Sequence, residues 1–526
     1  MDVKERAKKQ VEELLSDPLK LLRKKPFWRG TAESRVPSLY DSPIDLNETV
    51  EAHLPYLMRK PISQDRYLQE LDPDSHDVLF DQNIPQITMK VNKGYIEVKY
   101  KKMAVPFQRL IRDKQVLHLC GNPMVFTLLN REPSEVETKC FIDFKQYWNM
   151  RNMDGLRTKM VSAQKSMGDA GLLFYFDRNG RVKAKLLSYE QGYVLCPHND
   201  DNGDRLLESV YYHSGDSDYI DSYDDTYMYR HVRTFNGDSV YDGAWQRLPP
   251  VKHGFSEIPL ITKRGKVAWD NVQSLIEVYE VIYNIFLVVQ KRHGWGILYI
   301  KGQFADEGKK IAGAIVLNDR SLDGNGSAEF KQAPSPEGML QTLELMEESI
   351  QKGSGCTFIL PKDISLSGDV SGVAVEISQS LDNETALQGV IDWQNVADKM
   401  ARLFKEGLAK EMVHNGINSK AVTQFKSVNI GASFKIWKPR SETEYNSMLL
   451  SLKGGGGISE DTLIEKNTES SPDEKIRRRK EKEEALILQE KQLTLQSSSN
   501  NGGGGSNADS NSGNTSNKTN TNKKNK

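Results

Sequence analysis

Residues 268–293 contain neither glycine nor proline, and they are apolar on nearly every side of the helix they would form. A helix of that span is ~39 Å long. Val272, Leu275, Ile276, Tyr279, Tyr283, Phe286 and Val289 mark one stripe along it. Val281, Ile282, Ile285, Leu287 and Val288 add apolar groups around its second half. A helix of this kind must be covered on several sides. One neighbouring helix cannot do that, which points to packing between copies of the chain, with Val281, Ile282, Ile285, Phe286, Val288 and Val289 at the contact. A bilayer is not the alternative: the densest apolar window, 281–289, is too short to span one and has Glu280 beside it. No membrane partner is expected.

The remaining segments read as an α+β, helix-rich chain. Residues 3–23 form an amphipathic helix through Val11, Leu14, Leu15, Leu19 and Leu22. Alternation over 86–100 predicts a hairpin, and Asn179-Gly180 between two alternating runs predicts a second. A helix is expected over 142–167, and short strands over 208–213, 227–234 and 239–246, separated by an aspartate-rich loop. Beyond 293 a compact insert with short strands occupies 294–334, and Ser335-Pro336 opens a helix to about 352. A Gly-, Ser- and Pro-punctuated loop fills 353–372, followed by a long helix to 414 and strand-like runs over 421–437. Capping boxes at Ser441 and Ser471 open two further helices, with a short one from near Ser459 between them. Residues 497–526 hold a single apolar residue, Ala508, and are expected to be a disordered tail.

Charge and motif content exclude several function classes. Lys and Arg total 71 against 72 Asp and Glu, a balance unlike that of a bulk electrostatic nucleic-acid binder. Four scattered cysteines argue against a disulfide framework and for a reducing compartment, and the charged N-terminus is no secretory signal. No P-loop, nucleophile elbow or HExxH motif occurs, so no catalytic residue, no cofactor and no enzymatic activity are expected. His118 and Cys120 with Cys196 and His198 match no zinc spacing, and they read as core residues and a turn histidine. Asp200, Asp201, Asp204, Asp216, Asp218, Asp221, Asp224 and Asp225 lack the order of a calcium loop and read as solvated, with divalent-cation binding the alternative. The run KIRRRKEKEE over 475–484 reads as an exposed helix laced by Arg477/Glu481, Arg479/Glu483 and Lys480/Glu484 pairs. No metal site is assigned.

The order of these segments, with LCGNPMVFTL (119–128), HGFSEIPLI (253–261) before VQSLIEVYEVIYN (272–284), SGVAVE (371–376) and GGISEDTLIEKN before SPDEKIRRRKEKEE (456–484), resembles the portal proteins of tailed double-stranded-DNA bacteriophages. The likeness covers about 85–496. It implies a dodecameric ring at one capsid vertex of the virion, assembled in the host cytoplasm. It also implies partners: the large terminase subunit, the major capsid and scaffolding proteins, a head-tail adaptor or connector, and double-stranded DNA passing through without sequence readout. In this numbering it implies a wing over 1–266, a first stem helix over 267–293, a clip over 294–334 and a second stem helix over 335–352. A tunnel loop over 353–372, a long kinked helix and strand return over 373–440, and a helical crown over 441–496 would follow.

On that resemblance the tunnel loop carries Gly353, Gly355, Cys356, Phe358, Ile359, Leu360, Lys362, Asp363, Gly368, Asp369 and Gly372. Its terminal glycines are expected to act as hinges, and its apolar residues to pack between neighbouring loops. Glu337, Glu344, Glu347 and Glu348 would line the channel, keeping phosphates from being held. Lys301, Lys309, Lys310 and Arg320 would meet partners at the clip. The alternatives are another virion scaffold protein without a DNA path, and a metal-dependent nuclease using the aspartates.

Overall fold

A computed structural model describes residues 3–17, 64–84, 87–91, 94–98, 101–130, 132–199, 203–234, 245–293, 297–301, 315–319, 327–331, 337–358, 379–438, 442–467 and 474–499. The chain divides into two compact units, Met1–Pro439 and Arg440–Lys526. The first is α+β and helix-rich and holds every described strand, whereas the described elements of the second are helices.

The main core of the first unit gathers around a long helix, α9 (Ser380–His414). Its Trp393, Met400, Phe404 and Leu408 recur at helical spacing and are buried against α5 (Glu135–Met150), α6 (Met153–Met167) and strand β4 (Asp169–Phe176). Phe126, Phe144, Trp148 and Phe404 meet mostly edge-to-face, with centroids 4.9–6.0 Å apart, the arrangement that aromatic quadrupoles favour. The single helix expected over 142–167 is two. Ser134 and Glu137 close a capping box that starts α5 earlier, and Asn152 at φ 50° turns the chain between α5 and α6. Asparagine tolerates that left-handed backbone, and Asp154 fixes the corner by accepting from Trp148 Nε1.

Both predicted hairpins form. Strands β1 (Ile87–Val91) and β2 (Gly94–Val98) pair antiparallel, as do β4 and β5 (Val182–Leu187), with β12 (Leu260–Arg264) on the other side of β4. At the 177–181 turn, Gly180 (φ +69°) sits so close to His414 that a Cβ would lie 2.6 Å from its ring. A larger sheet runs β10-β9-β8-β7-β6, from β6 (Val194–Asn199) through β7 (Arg205–Ser214), β8 (Ser217–Tyr223) and β9 (Tyr227–Thr234) to β10 (Gln246–Arg247). A short β11 (Val251–Lys252) also pairs with β9. Of the strand expected over 239–246, only residues from 245 are described.

One face of this sheet packs Val210 and Tyr223 on Leu187, Ile258 and Leu260. The other, with Leu207, Ile220 and Tyr229, is covered by Leu15, Val11 and Leu14 of α1 (Val3–Ser16). The aspartates corrected by the structure lie here. Asp218 and Asp221 are not solvated loop residues but buried members of β8, paired with Arg233 at 2.6 Å and Arg230 at 2.7 Å on β9. Asp224 caps the turn into β9 through the Thr226 and Tyr227 N–H groups. Asp200 and Asp201 lie outside the described residues.

Residues 421–437 are also reassigned. Asn418 caps a helix, α10 (Ser419–Ser427), because Val422 and Phe425 repeat at helical rather than strand spacing. Only β16 (Ile430–Ser433) is strand, and it pairs antiparallel with β3 (Val125–Leu128) of the LCGNPMVFTL stretch.

In the second unit, α11 (Glu442–Gly454) and α12 (Glu460–Lys466) bury Leu449 and Leu463. Ser459 caps α12 by accepting from the Thr462 N–H. Helix α13 (Glu474–Ser499) is an exposed charged helix, as read, and it runs three residues into the segment expected to be disordered. Its described ion pairs converge on Glu460, from Arg478 and Lys482, and join Arg478 to Glu474.

Candidate functional site

Two antiparallel-capable helices joined by a strand insert, and the loop that follows them, form the most specialised part of the first unit. Helix α7 (Gln273–His293) begins five residues later than its sequence pattern, because residues 267–272 form turns that bury Trp269 and Val272. Trp269 donates through Nε1 to Glu70 Oε2 at 2.8 Å.

The rod is not greasy all round. Gln273, Glu280 and Asn284 fall at i, i+7 and i+11 and are buried, Asn284 completely. Their partners are the segment 101–108 and the helices before it, α2 (Gln64–Leu71) and α3 (Asp77–Phe80). Asn284 accepts from the Met103 N–H at 2.8 Å and donates to the Met103 carbonyl at 2.7 Å, as a strand neighbour would. Glu280 Oε1 accepts from the Val105 N–H at 2.7 Å and lies 2.7 Å from His76 Nδ1. Gln273 bonds Gln108, on α4 (Phe107–Cys120). This polar stripe is the part of the site that hydropathy concealed. Its only sequence signal is three polar residues on one side of an apolar helix.

The six residues expected at contacts between copies divide accordingly. Ile282 and Phe286 turn toward their own chain's core, which includes Leu343 and Ile350 of α8 (Glu337–Ser354), and Val288 is buried. Those three are a correction to the all-round reading. Val281, Ile285 and Val289 are half-buried and share a stripe with Val278, which is 51% exposed. On α8, Glu337, Glu344 and Glu348 are exposed and Glu347 is half-buried, with Lys352 Nζ 3.4 Å from Glu348. Leu345, on the side of α8 away from Leu343 and Ile350, is 64% exposed.

The insert between the helices is a three-stranded sheet in the order β14-β13-β15. Strand β13 (Ile297–Lys301) runs parallel to β14 (Ile315–Asp319) and antiparallel to β15 (Ser327–Lys331). Lys301 ends β13, opposite Asp319 and Ser327; Lys309, Lys310 and Arg320 lie outside the described residues.

The root of the loop is anchored rather than hinged. Gly353 is inside α8, where a Cβ would come within 2.6 Å of Val272, so its role is close helix approach. Gly355 holds φ +67° with its Cα against Thr385, leaving 2.2 Å for any Cβ. The Thr385 hydroxyl donates to the Gly355 carbonyl, and Asp382 accepts from the Thr357 N–H. Gln351 accepts from Phe358 N–H, and Gln115 donates to the Ser354 carbonyl. Cys356, expected to face neighbouring loops, is buried in its own chain beneath Ile111, and burial pushes its thiol up to about 12. Phe358 stacks on Phe107 at 5.9 Å. Ile359, Leu360, Lys362, Asp363, Gly368, Asp369 and Gly372 lie outside the described residues.

His118 is a core histidine, edge-on to Trp437 and 3.9 Å from Asp382, and burial lowers its pKa. Cys196 is buried in β6. Among the described residues no three His, Cys, Asp or Glu side chains gather as a metal site would require, and no helix is long and apolar enough to cross a membrane.

Compared with known proteins, residues 67–487 match the family described as phage portal protein, SPP1 Gp6-like. No curated protein matches the chain.

Proposed function

Because this chain belongs to the SPP1 Gp6-like phage portal proteins, we propose that it forms the ring at one capsid vertex through which the terminase packages double-stranded DNA and through which the genome later leaves. The observation that carries the reading is the extent of the match, 67–487, which takes in α7, the strand insert, α8, the anchored loop root and α9. The subunit acts as a structural conduit, and connector or tail proteins attach to the assembled ring.

In this reading α7 and α8 are the stem, the β13–β15 insert is the clip, residues 353–372 are the tunnel loop, and the second unit is the crown. Twelve copies close the ring. Val278, Val281, Ile285 and Val289 on α7 meet a neighbour's α8 around Leu345, a heterologous contact of the kind that generates rings. Glu337, Glu344, Glu347 and Glu348 face DNA, where like charge keeps phosphates from being gripped. The tunnel loop moves from a fixed starting root, with Cys356 and Phe358 as its anchor rather than its tip. Lys301, Lys309, Lys310 and Arg320 present positive charge to the motor or adaptor.

Electron-microscope class averages of the purified protein test the assembly, since a portal gives rings with a central hole. The triple variant Glu344→Lys, Glu347→Lys, Glu348→Lys tests the conduit. Rings should still assemble while packaging in vitro slows severalfold or stops, most strongly at low salt. Unchanged packaging rates would remove these carboxylates from the channel.

A further inference from the structure

The buried pair His76 and Glu280 joins two segments 204 residues apart, between α3 and the middle of α7. Both side chains are almost wholly buried. His76 Nε2 lies 2.9 Å from the Glu70 carbonyl, which can only accept, so that nitrogen must carry a proton. Nδ1 lies 2.7 Å from Glu280 Oε1, which already accepts from the Val105 N–H. Two acceptors therefore face the two ring nitrogens, and the contact closes only if the pair holds one proton beyond a neutral imidazole and a free carboxylate. Without it, a ring lone pair would face a carboxylate inside the protein, an arrangement with a high desolvation and repulsion cost.

We propose that a proton shared by His76 and Glu280 locks the 64–81 arm onto α7, making this joint a pH-sensitive clasp. The groups around it favour holding that proton. Glu70 and Asp72 approach from α2 and the turn after it, and Glu277 lines the same cleft from α7. Arg66 is the nearby cation, but Glu70, Asp77 and Glu277 all engage it. The segment 101–106 contributes the Val105 amide, which donates to Glu280 Oε1. Burial alone would lower the His76 pKa; the Glu280 hydrogen bond and charge, with the Glu70 carbonyl, raise it above the ordinary histidine value.

The sign follows from linkage. A histidine raised on folding contributes its full stabilisation below the unfolded value, about 6.5, and loses it as pH climbs through the raised value. The clasp is shut at acid-to-neutral pH and opens on the alkaline side. Opening loosens the joint of α2 and α3 with α7, leaving the Arg66–Glu277 pair and the Tyr67 and Leu71 packing, while the Asn284–Met103 pair still holds the neighbouring strap.

The test is mass-spectrometric hydrogen exchange on the full-length protein, read at the His76 ring carbon and at the amides of 64–81. In wild type, His76 should titrate above the ordinary histidine value. Protection of 64–81, corrected for intrinsic exchange, should fall across the same pH range. In Glu280→Gln the His76 midpoint should drop to or below the ordinary value, and the pH-dependent loss should disappear. A wild-type His76 that titrates at or below that value would overturn the clasp, and this arm needs no variant to fold. So would an unchanged pH profile of 64–81 in Glu280→Gln.

Discussion

Helices α7 and α9 are both long and both rich in apolar residues, yet α7 buries a polar stripe along its length while the buried middle of α9, from Ala386 to Ala409, is apolar. Helix α9 turns Trp393, Met400, Phe404 and Leu408 inward and covers them within the chain. Helix α7 turns Gln273, Glu280 and Asn284 inward beside Ile276 and Tyr279, and leaves Val278 and its neighbours toward the outside. The polar stripe is tolerated because backbone groups of 103–105 satisfy it, and in the proposed ring the outward apolar stripe is what a neighbour would cover.

Three substitutions would break or sharpen this contrast. Phe404→Ala should cost about 3–5 kcal/mol, since it empties a site enclosed by Phe144 and Trp148, and denaturant unfolding would report it. A much smaller loss would mean that the α9 core is loosely packed. Asn284→Ala should cost about 1–3 kcal/mol by stranding the Met103 N–H and carbonyl, visible in the same measurement. A neutral outcome would show that water replaces the side chain and that the polar stripe is dispensable. Val278→Asp should shift subunit stability by no more than about 0.5 kcal/mol, since the site is exposed, yet mass photometry should show rings lost to smaller species. Normal rings would take the outward stripe of α7 out of the interface.

Local signals in the chain carry the elements that local physics decides. Asn179-Gly180 and the 86–100 alternation predict hairpins because turn chemistry and a period of two need no distant partner. The break at Asn152 is missed because a helical period continues across it; what ends α5 is a corner fixed by Asp154. Residues 419–427 are missed because a nine-residue helix gives only about two and a half turns of pattern. Asp218 and Asp221 mislead for a different reason. An aspartate on a strand looks like a loop residue until its arginine, on the next strand, is in view.

For the candidate site, glycine and proline punctuation outlines α7, the insert, α8 and the loop start. Which face of α7 turns inward depends on His76, Met103 and Val105, all about 175–204 residues away. Nor can glycine alone tell a hinge from a close approach. Gly353 and Gly355 are there because Val272 and Thr385 leave no room for a side chain.

Helix α1 lies before the stretch that matches the portal family, yet it covers the apolar centre of one face of the β6–β10 sheet. Trimming the chain to residues 67–487 would therefore strip a lid of Val11, Leu14 and Leu15 from Leu207, Ile220 and Tyr229. A shortened protein designed on family boundaries would carry a bare, tyrosine-lined sheet and self-associate through it, giving aggregates that have nothing to do with ring formation.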